Sequence, residues 1–303
     1  MIRPLSRSAL ALVATLVFGP LAQADTQVIM LGTGTPVPDP ERAGAGVAVV
    51  VDGTPYLFDA GSGVHHRAIQ AMQRYQLPAL NPQELRYVFL THLHSDHIHD
   101  LDNFAMSRWW SRNERLEVYG PVGLAAYVEH MNAMAGVEAT LRSAGTPPEI
   151  IVDRAGYIAN AHEVVPGLVF ENEQIKIEAF YVPHGDIEPA LGYKITTADK
   201  TIVISGDTTT SEEIARQAQG VDLLIHEVMS GDLLDTQSEF WQLYHGQSHT
   251  RAADLGRLAQ EVGPKTLVLY HVLFFTATPD DIVNEVKRHF DGNVVLANDL
   301  DAF

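Results

Sequence analysis

Residues 91 to 100 read THLHSDHIHD, so four histidines and two aspartates share ten positions. Neutral imidazole and ionised carboxylate are ligands that zinc and related divalent ions accept, and alternate residues of an extended segment point to one side. The run therefore predicts a metal site, and its remaining donors must come from elsewhere in the chain. Candidates follow a series of strand-like runs: His184 after IKIEAFYVP, Asp207 in KTIVISGDT, His226 and Glu227 in VDLLIHE, and His271 in KTLVLYH. Convergence of these donors at the end of one sheet, where open α/β folds gather their ligands, is the economical reading.

The elements that must position them alternate along the chain without a repeat or a low-complexity tract. TQVIMLG, GVAVVVD and TPYLFDAG read as strands, VHHRAIQAMQRYQ as a helix, and RYVFLTH as an apolar strand delivering the histidine run. Met134 to Pro166, containing GTPPEIIVDRAG, reads as irregular, a lid or a contact in a possible homodimer.

Composition narrows the chemistry. The chain has 303 residues, 46% of them hydrophobic, enough for a full core. Cysteine is absent, which excludes disulfides, thiolate nucleophiles and Cys-ligated zinc. Arg3 and Arg7, an apolar stretch from Ala9 to about Leu21 and then Ala22-Gln23-Ala24 form the pattern of a secretory signal peptide cut after Ala24. That predicts a mature domain of residues 25–303, periplasmic or secreted, with no stable membrane anchor. Losing both arginines leaves 18 basic against 38 acidic side chains, a net charge of −20. With no run of Lys or Arg, nucleic acid is not an expected partner, and a small molecule is the expected substrate.

His92, His94, Asp96 and His97 match HxHxDH, and the chain in this respect resembles the metallo-β-lactamase-fold hydrolases. The resemblance implies a four-layer αββα sandwich of the α/β class with a two-metal site. It assigns His92, His94 and His184 to one metal, Asp96, His97 and His271 to the other, and Asp207 to both. Two zinc ions are expected, with manganese or iron able to take the same ligands. LGTGTPVP, LFDAGSG, YGPVG, PALGY, IHE and HTRAADLGRLAQEVGPKTLVLYH are similar to the ribonuclease Z and arylsulfatase-like branch. That likeness makes Asp96, His249 and Glu227 catalytic: Asp96 orients or deprotonates the attacking water, and His249, held by Glu227, assists the leaving oxygen.

Two departures stand out. The arm that ribonuclease Z enzymes carry between ALGYKI and SGDT is replaced by TTADKTIVI, and the segment after the final ligand reads HVLFFTATPDD. The sequence therefore points to an exported hydrolase of small phosphodiesters or sulfate esters. Alternatives are a lactone, lactam or thioester hydrolase, a ribonuclease Z-like endonuclease, a mononuclear iron oxidative enzyme and a non-catalytic metal-binding protein. Asp59 is expected to orient a ligand, His99 and Asp100 to lie behind the ligands or at the surface, and Trp109 and Trp110 are candidates for a substrate pocket. His65 and His66 read as the start of a helix, and His130, His162, His245 and His289 as structural or solvent-facing.

Overall fold

The computed structural model describes residues 25–112, 114–147, 150 and 153–303. The expected leader, residues 1–24, lies outside the described residues, and among those described no helix is long and apolar enough to cross a membrane. The first half of the chain forms β1 (Thr26–Gly32), β2 (Gly46–Val51), β3 (Thr54–Phe58), α1 (Val64–Tyr75) and β4 (Tyr87–Phe89). It continues through α2 (Ser95–Ile98), α3 (Leu101–Arg112), β5 (Glu117–Gly120), α4 (Leu124–Ala144) and β6 (Asn160–Glu163). The second half forms β7 (Gly167–Glu171), β8 (Lys176–Val182), β9 (Ala190–Thr196), β10 (Thr201–Ile204), α5 (Glu212–Gln217) and β11 (Leu223–Met229). It ends with α6 (Gly231–Leu234), α7 (Glu239–Ser248), α8 (Ala252–Val262), β12 (Thr266–Leu273), α9 (Pro279–Lys287) and β13 (Val294–Leu296).

The strands build two sheets, ordered β1-β2-β3-β4-β5-β6 and β13-β12-β11-β10-β9-β8-β7. Strand periodicity explains why they stack. In β1, Val28 and Met30 enter the core between the sheets while Ile29 and Leu31 pack on the opposite face, under helices. The inter-sheet core adds Tyr56, Phe58, Ile177, Tyr193, Ile204 and Val268. Outer cores join Ala68, Leu101 and Val128 to the first sheet, and Ile214, Leu255 and Ile282 to the second. Helices, sheet, sheet, helices is the expected αββα sandwich.

Sheet polarity aims the site. β3 to β6 run parallel, as do β10 to β13. Segments leaving β4 and β10 therefore carry His92 and Asp207 out at carboxyl ends. A turn closed by Thr197 N–H donating to the Lys200 carbonyl (2.9 Å) is all that joins β9 to β10.

Two expectations change. Glu227 and His271 do not finish their strands, since β11 continues to Met229 and β12 to Leu273. The ladder instead slips there: Tyr270 pairs with Glu227 and Val272 with Val228, leaving His271 as an extra residue at φ +45°. Such a bulge re-aims a side chain without ending the strand. The stretch after Met134 is not irregular throughout, because α4 runs to Ala144. Beyond Met134 its buried side is Ala135, Ala139 and Ser143, a stripe of small residues that pattern reading misses.

Candidate metal centre

His92 and His94 lie between β4 and α2, with Asp96 and His97 in the first turn of α2. Backbone contacts fix this turn: Ala45 N–H donates to the Asp96 carbonyl (2.9 Å) and Ala60 N–H to the His97 carbonyl (2.7 Å). Gly61 permits the approach, since a Cβ there would stand 2.0 Å from the Asp96 carbonyl oxygen. Tyr193 anchors the end of β4 by donating its hydroxyl to the Leu90 carbonyl at 2.8 Å.

Seven donors converge. His92 Nε2 lies 3.0 Å from His94 Nδ1, and His184 Nε2 lies 3.4 Å from the same atom. His97 Nε2 stands 3.6 Å from Asp96 Oδ2 and 3.5 Å from Asp207 Oδ1. His271 Nε2 is 3.1 Å from Asp96 Oδ2 and 3.3 Å from Asp207 Oδ2, which is itself 4.0 Å from His92 Nε2. Two groups result, His92/His94/His184 and Asp96/His97/His271, with Asp207 between them.

Behind them, hydrogen bonds settle which ring nitrogen faces inward. Asp59 Oδ2 accepts from His97 Nδ1 (2.9 Å), and Asp59 Oδ1 accepts from Thr91 N–H (2.8 Å). The Thr91 hydroxyl donates to Asp59 and accepts from His92 Nδ1 (3.0 Å). The Ser248 carbonyl accepts from His184 Nδ1 (2.8 Å). These tautomers follow from the network, and they leave the Nε2 lone pairs of all three rings for a cation.

For His92 and His184 the electrostatics agree, whereas His97 carries a proton that a cation would displace. Burial pushes His92 well down, and takes His184 to about 4. Burial would also lower His97, yet Asp207 and Asp59 outweigh it and hold its pKa well above the usual imidazole range. Burial would raise Asp207, but His271 and His97 drive it well below the usual carboxyl range. Asp96 Oδ1, His97 Nε2 and Asp207 Oδ1 are buried with no hydrogen-bond partner. An orphaned buried polar atom costs about 1–3 kcal/mol. Imidazole and carboxylate donors facing one another unpaired fit divalent cations.

Beside the cluster, Glu227 Oε1 accepts from Thr250 N–H (2.7 Å) while Oε2 lies 3.4 Å from His249 Nδ1, an ion-pair contact rather than an aligned hydrogen bond. Burial raises Glu227, and Glu227 in turn raises His249 against the burial that would lower it. His249 also groups with His184 and Asp207, and with Glu227 and His271.

Other expected residues fall outside. Asp100 is buried and accepts from His65 N–H (2.9 Å), while His66, His99, His130 and His289 are exposed. His162 pairs with Glu117 (2.8 Å). His226 turns Nδ1 to the Glu227 carbonyl (2.6 Å) and enters no metal-binding group. Trp109 is a core residue packed with Ala139 and Tyr157, and Trp110 sits under Arg142, so neither lines the metal cluster. Of the rings near the site on α7, Trp241 escapes sequence reading and His245 reads only as structural or solvent-facing, because nothing in a single sequence links them to His249 except adjacency.

Comparison with known proteins agrees with this geometry. Residues 54–272 match the beta-lactamase superfamily domain. The chain is 30% identical over 255 residues to the ribonuclease Z of Mycobacterium sp. (strain KMS), covering 82% of this chain and 84% of that one. Its fold is shared with the metallo-beta-lactamase fold protein YhfI from Bacillus subtilis (TM-score 0.68, 19% identity, 92% and 98% of the two chains). It is also shared with human tRNase Z, short form (TM-score 0.64, 24% identity, 91% and 98%). The expectation that nucleic acid is no partner is overturned by the ribonuclease relative: net charge reports the average surface, whereas a reaction on RNA is set by the site and local contacts. The fold, the donor cluster and these likenesses together place the chain in the beta-lactamase superfamily, as a metallo-hydrolase of the ribonuclease Z branch.

Proposed function

We propose that this protein is a metal-dependent phosphodiesterase. One observation carries the reading: a buried His249–Glu227 pair stands directly against a two-group His/Asp cluster, so a proton donor adjoins a site for two cations. His92, His94 and His184 would hold one ion, Asp96, His97 and His271 the second, with Asp207 shared, and the His-rich set favours zinc. When bound, the ions supply Lewis acidity toward the phosphoryl oxygens and lower the pKa of a water.

The chain's own groups do the rest. Asp96 Oδ1, free of other partners, accepts the proton of the attacking water. His249, its Nδ1 turned to Glu227, keeps the other ring nitrogen to protonate the departing oxygen. Glu227 stabilises that imidazolium and Thr250 N–H holds Glu227 in place. Asp59 and the Ser248 carbonyl keep the ligand rings in register. The likeness to a ribonuclease Z supports a phosphodiester over a sulfate ester or a lactone. The leader at residues 1–24 adds export to the proposal, tested by N-terminal sequencing of the protein from a periplasmic extract.

Metal-loaded protein incubated with bis(p-nitrophenyl) phosphate, a labelled RNA, p-nitrophenyl sulfate and a lactone tests the activity. We expect diester cleavage, abolished by a chelator and restored by zinc. Turnover of the sulfate or the lactone with neither diester cleaved overturns the reading.

A further inference from the structure

The helix that ends at His249 carries two ring stacks. Phe240 and Tyr244, one turn apart, lie 6.4 Å between centroids and 13° from parallel. Trp241 and His245, also one turn apart, lie 5.4 Å apart at 23°. Spacing of four residues brings each pair onto one side of α7. Phe240, Trp241 and Tyr244 are 66%, 46% and 48% exposed, an unusual concentration of large rings in water. The stacks do not stop at the surface. His245 tilts against His249 at 5.7 Å with Phe275 edge-on at 5.2 Å, and His249 lies 6.0 Å from His271 at 20°. The Ser248 carbonyl that orients His184 belongs to the same helix. Rings therefore run without a break from solvent to the metal-binding cluster.

The charges around this path decide what it would hold. α7 has no Lys or Arg and begins with Glu239, so the helix offers a polyphosphate backbone no cationic side chain. Flat, exposed rings instead match the faces of bases, which stack irrespective of sequence. A substrate with a phosphodiester and a base would divide between the two regions, phosphate on the cluster and base on the rings. We propose that α7 is a stacking platform for a nucleobase flanking the scissile phosphodiester; this rests on the phosphodiesterase reading.

Two esters separate the platform from the chemistry: the p-nitrophenyl esters of adenosine 5′-phosphate and of ribose 5-phosphate, identical except for the base. Wild-type protein should bind the adenosine ester with a KM roughly tenfold below that of the ribose ester. The double variant Trp241→Ala/Tyr244→Ala should bring that ratio toward one, and Trp241→Phe should keep it. Equal KM values in the wild type, or a preference surviving the double variant, overturn the platform and leave the phosphodiesterase reading in place. Cleavage of neither ester overturns that reading, and the platform is then tested by tryptophan quenching. Adenosine 5′-phosphate should quench and ribose 5-phosphate should not; equal quenching refutes it. A dimer that becomes monomeric in the double variant, with no base preference in the wild type, assigns the rings to contact between copies and overturns the proposal.

Discussion

Asp59→Asn is the sharpest probe of how the centre is built, because it keeps shape and turns one acceptor into a donor. Thr91 N–H donates to Asp59 Oδ1, so the carbonyl oxygen of the replacement amide must stay on that side. Its NH2 then faces His97 Nδ1, 2.9 Å from the native Oδ2, and two donors cannot share that contact. His97 escapes by moving its proton to Nε2, the atom 3.5 Å from Asp207 and 3.6 Å from Asp96. That removes the lone pair a cation needs. Loss of such a supporting contact lowers metal affinity or activity by roughly 10- to 100-fold, about 1.4–2.7 kcal/mol. The group around His97 should empty first, while His92, His94 and His184 keep their ion. Stability should change little, since Thr91 N–H and hydroxyl both still reach the Oδ1 side, at 2.8 and 3.1 Å. The assay is elemental analysis after dialysis against graded chelator, with the melting temperature followed in parallel. Wild-type metal content and turnover in the variant would refute the tautomer argument.

Asp207→Ala should lower occupancy of both positions and abolish turnover, since Oδ1 faces His97 while Oδ2 lies between His271 and His92; full metal content would remove Asp207 from the centre. His249→Ala should leave metal content alone and cut turnover by roughly 10²-fold for poor leaving groups, and far less for p-nitrophenolate, which needs no proton. Equal losses across leaving groups would mark a positioning role. Gly61→Ala places a methyl against the Asp96 carbonyl, so it should destabilise the fold by about 1–3 kcal/mol or more and disturb metal binding, read by thermal melts and elemental analysis.

How much of this was legible depends on whether a feature is local. The run from His92 to His97 is compact in sequence, so its ligand types announce themselves. The strands of the inter-sheet core are equally plain, as β2 is buried throughout and reads GVAVVV. What failed depends on partners elsewhere in the chain. The bulge at His271 exists only through the register of β12 against β11, which no window on either strand contains. α4 hides because Ala135, Ala139 and Ser143 bury a face without hydrophobic bulk. Trp109 and Trp110 drew attention as adjacent tryptophans, yet one is core and the other faces Arg142. The rings of α7 recur at helical spacing but face largely outward, and they acquire meaning only through contact with His249.

Charge gives a last constraint on metal number. Asp59, Asp96, Asp207 and Glu227 are all buried and crowd one centre, where ionised carboxylates without counter-charge are costly. Without a cation the demand falls on imidazole, which is why Asp207 and Asp59 hold the His97 pKa up and Glu227 holds up His249. With Glu227 left to the His249 imidazolium, three buried carboxylates remain, and one divalent ion would leave part of that charge to protons. Metal should therefore stabilise the fold in two steps. A ligand at 100 times its Kd adds about 2.7 kcal/mol per site, and at roughly 2–4 °C per kcal/mol for a chain of this size each equivalent should raise the melting temperature by about 5–10 °C. Thermal melts of stripped protein titrated with zinc read this directly. A rise that levels off at one equivalent would refute the two-ion argument and favour a mononuclear centre, whereas a second rise that Asp207→Ala removes would locate both ions about the shared carboxylate.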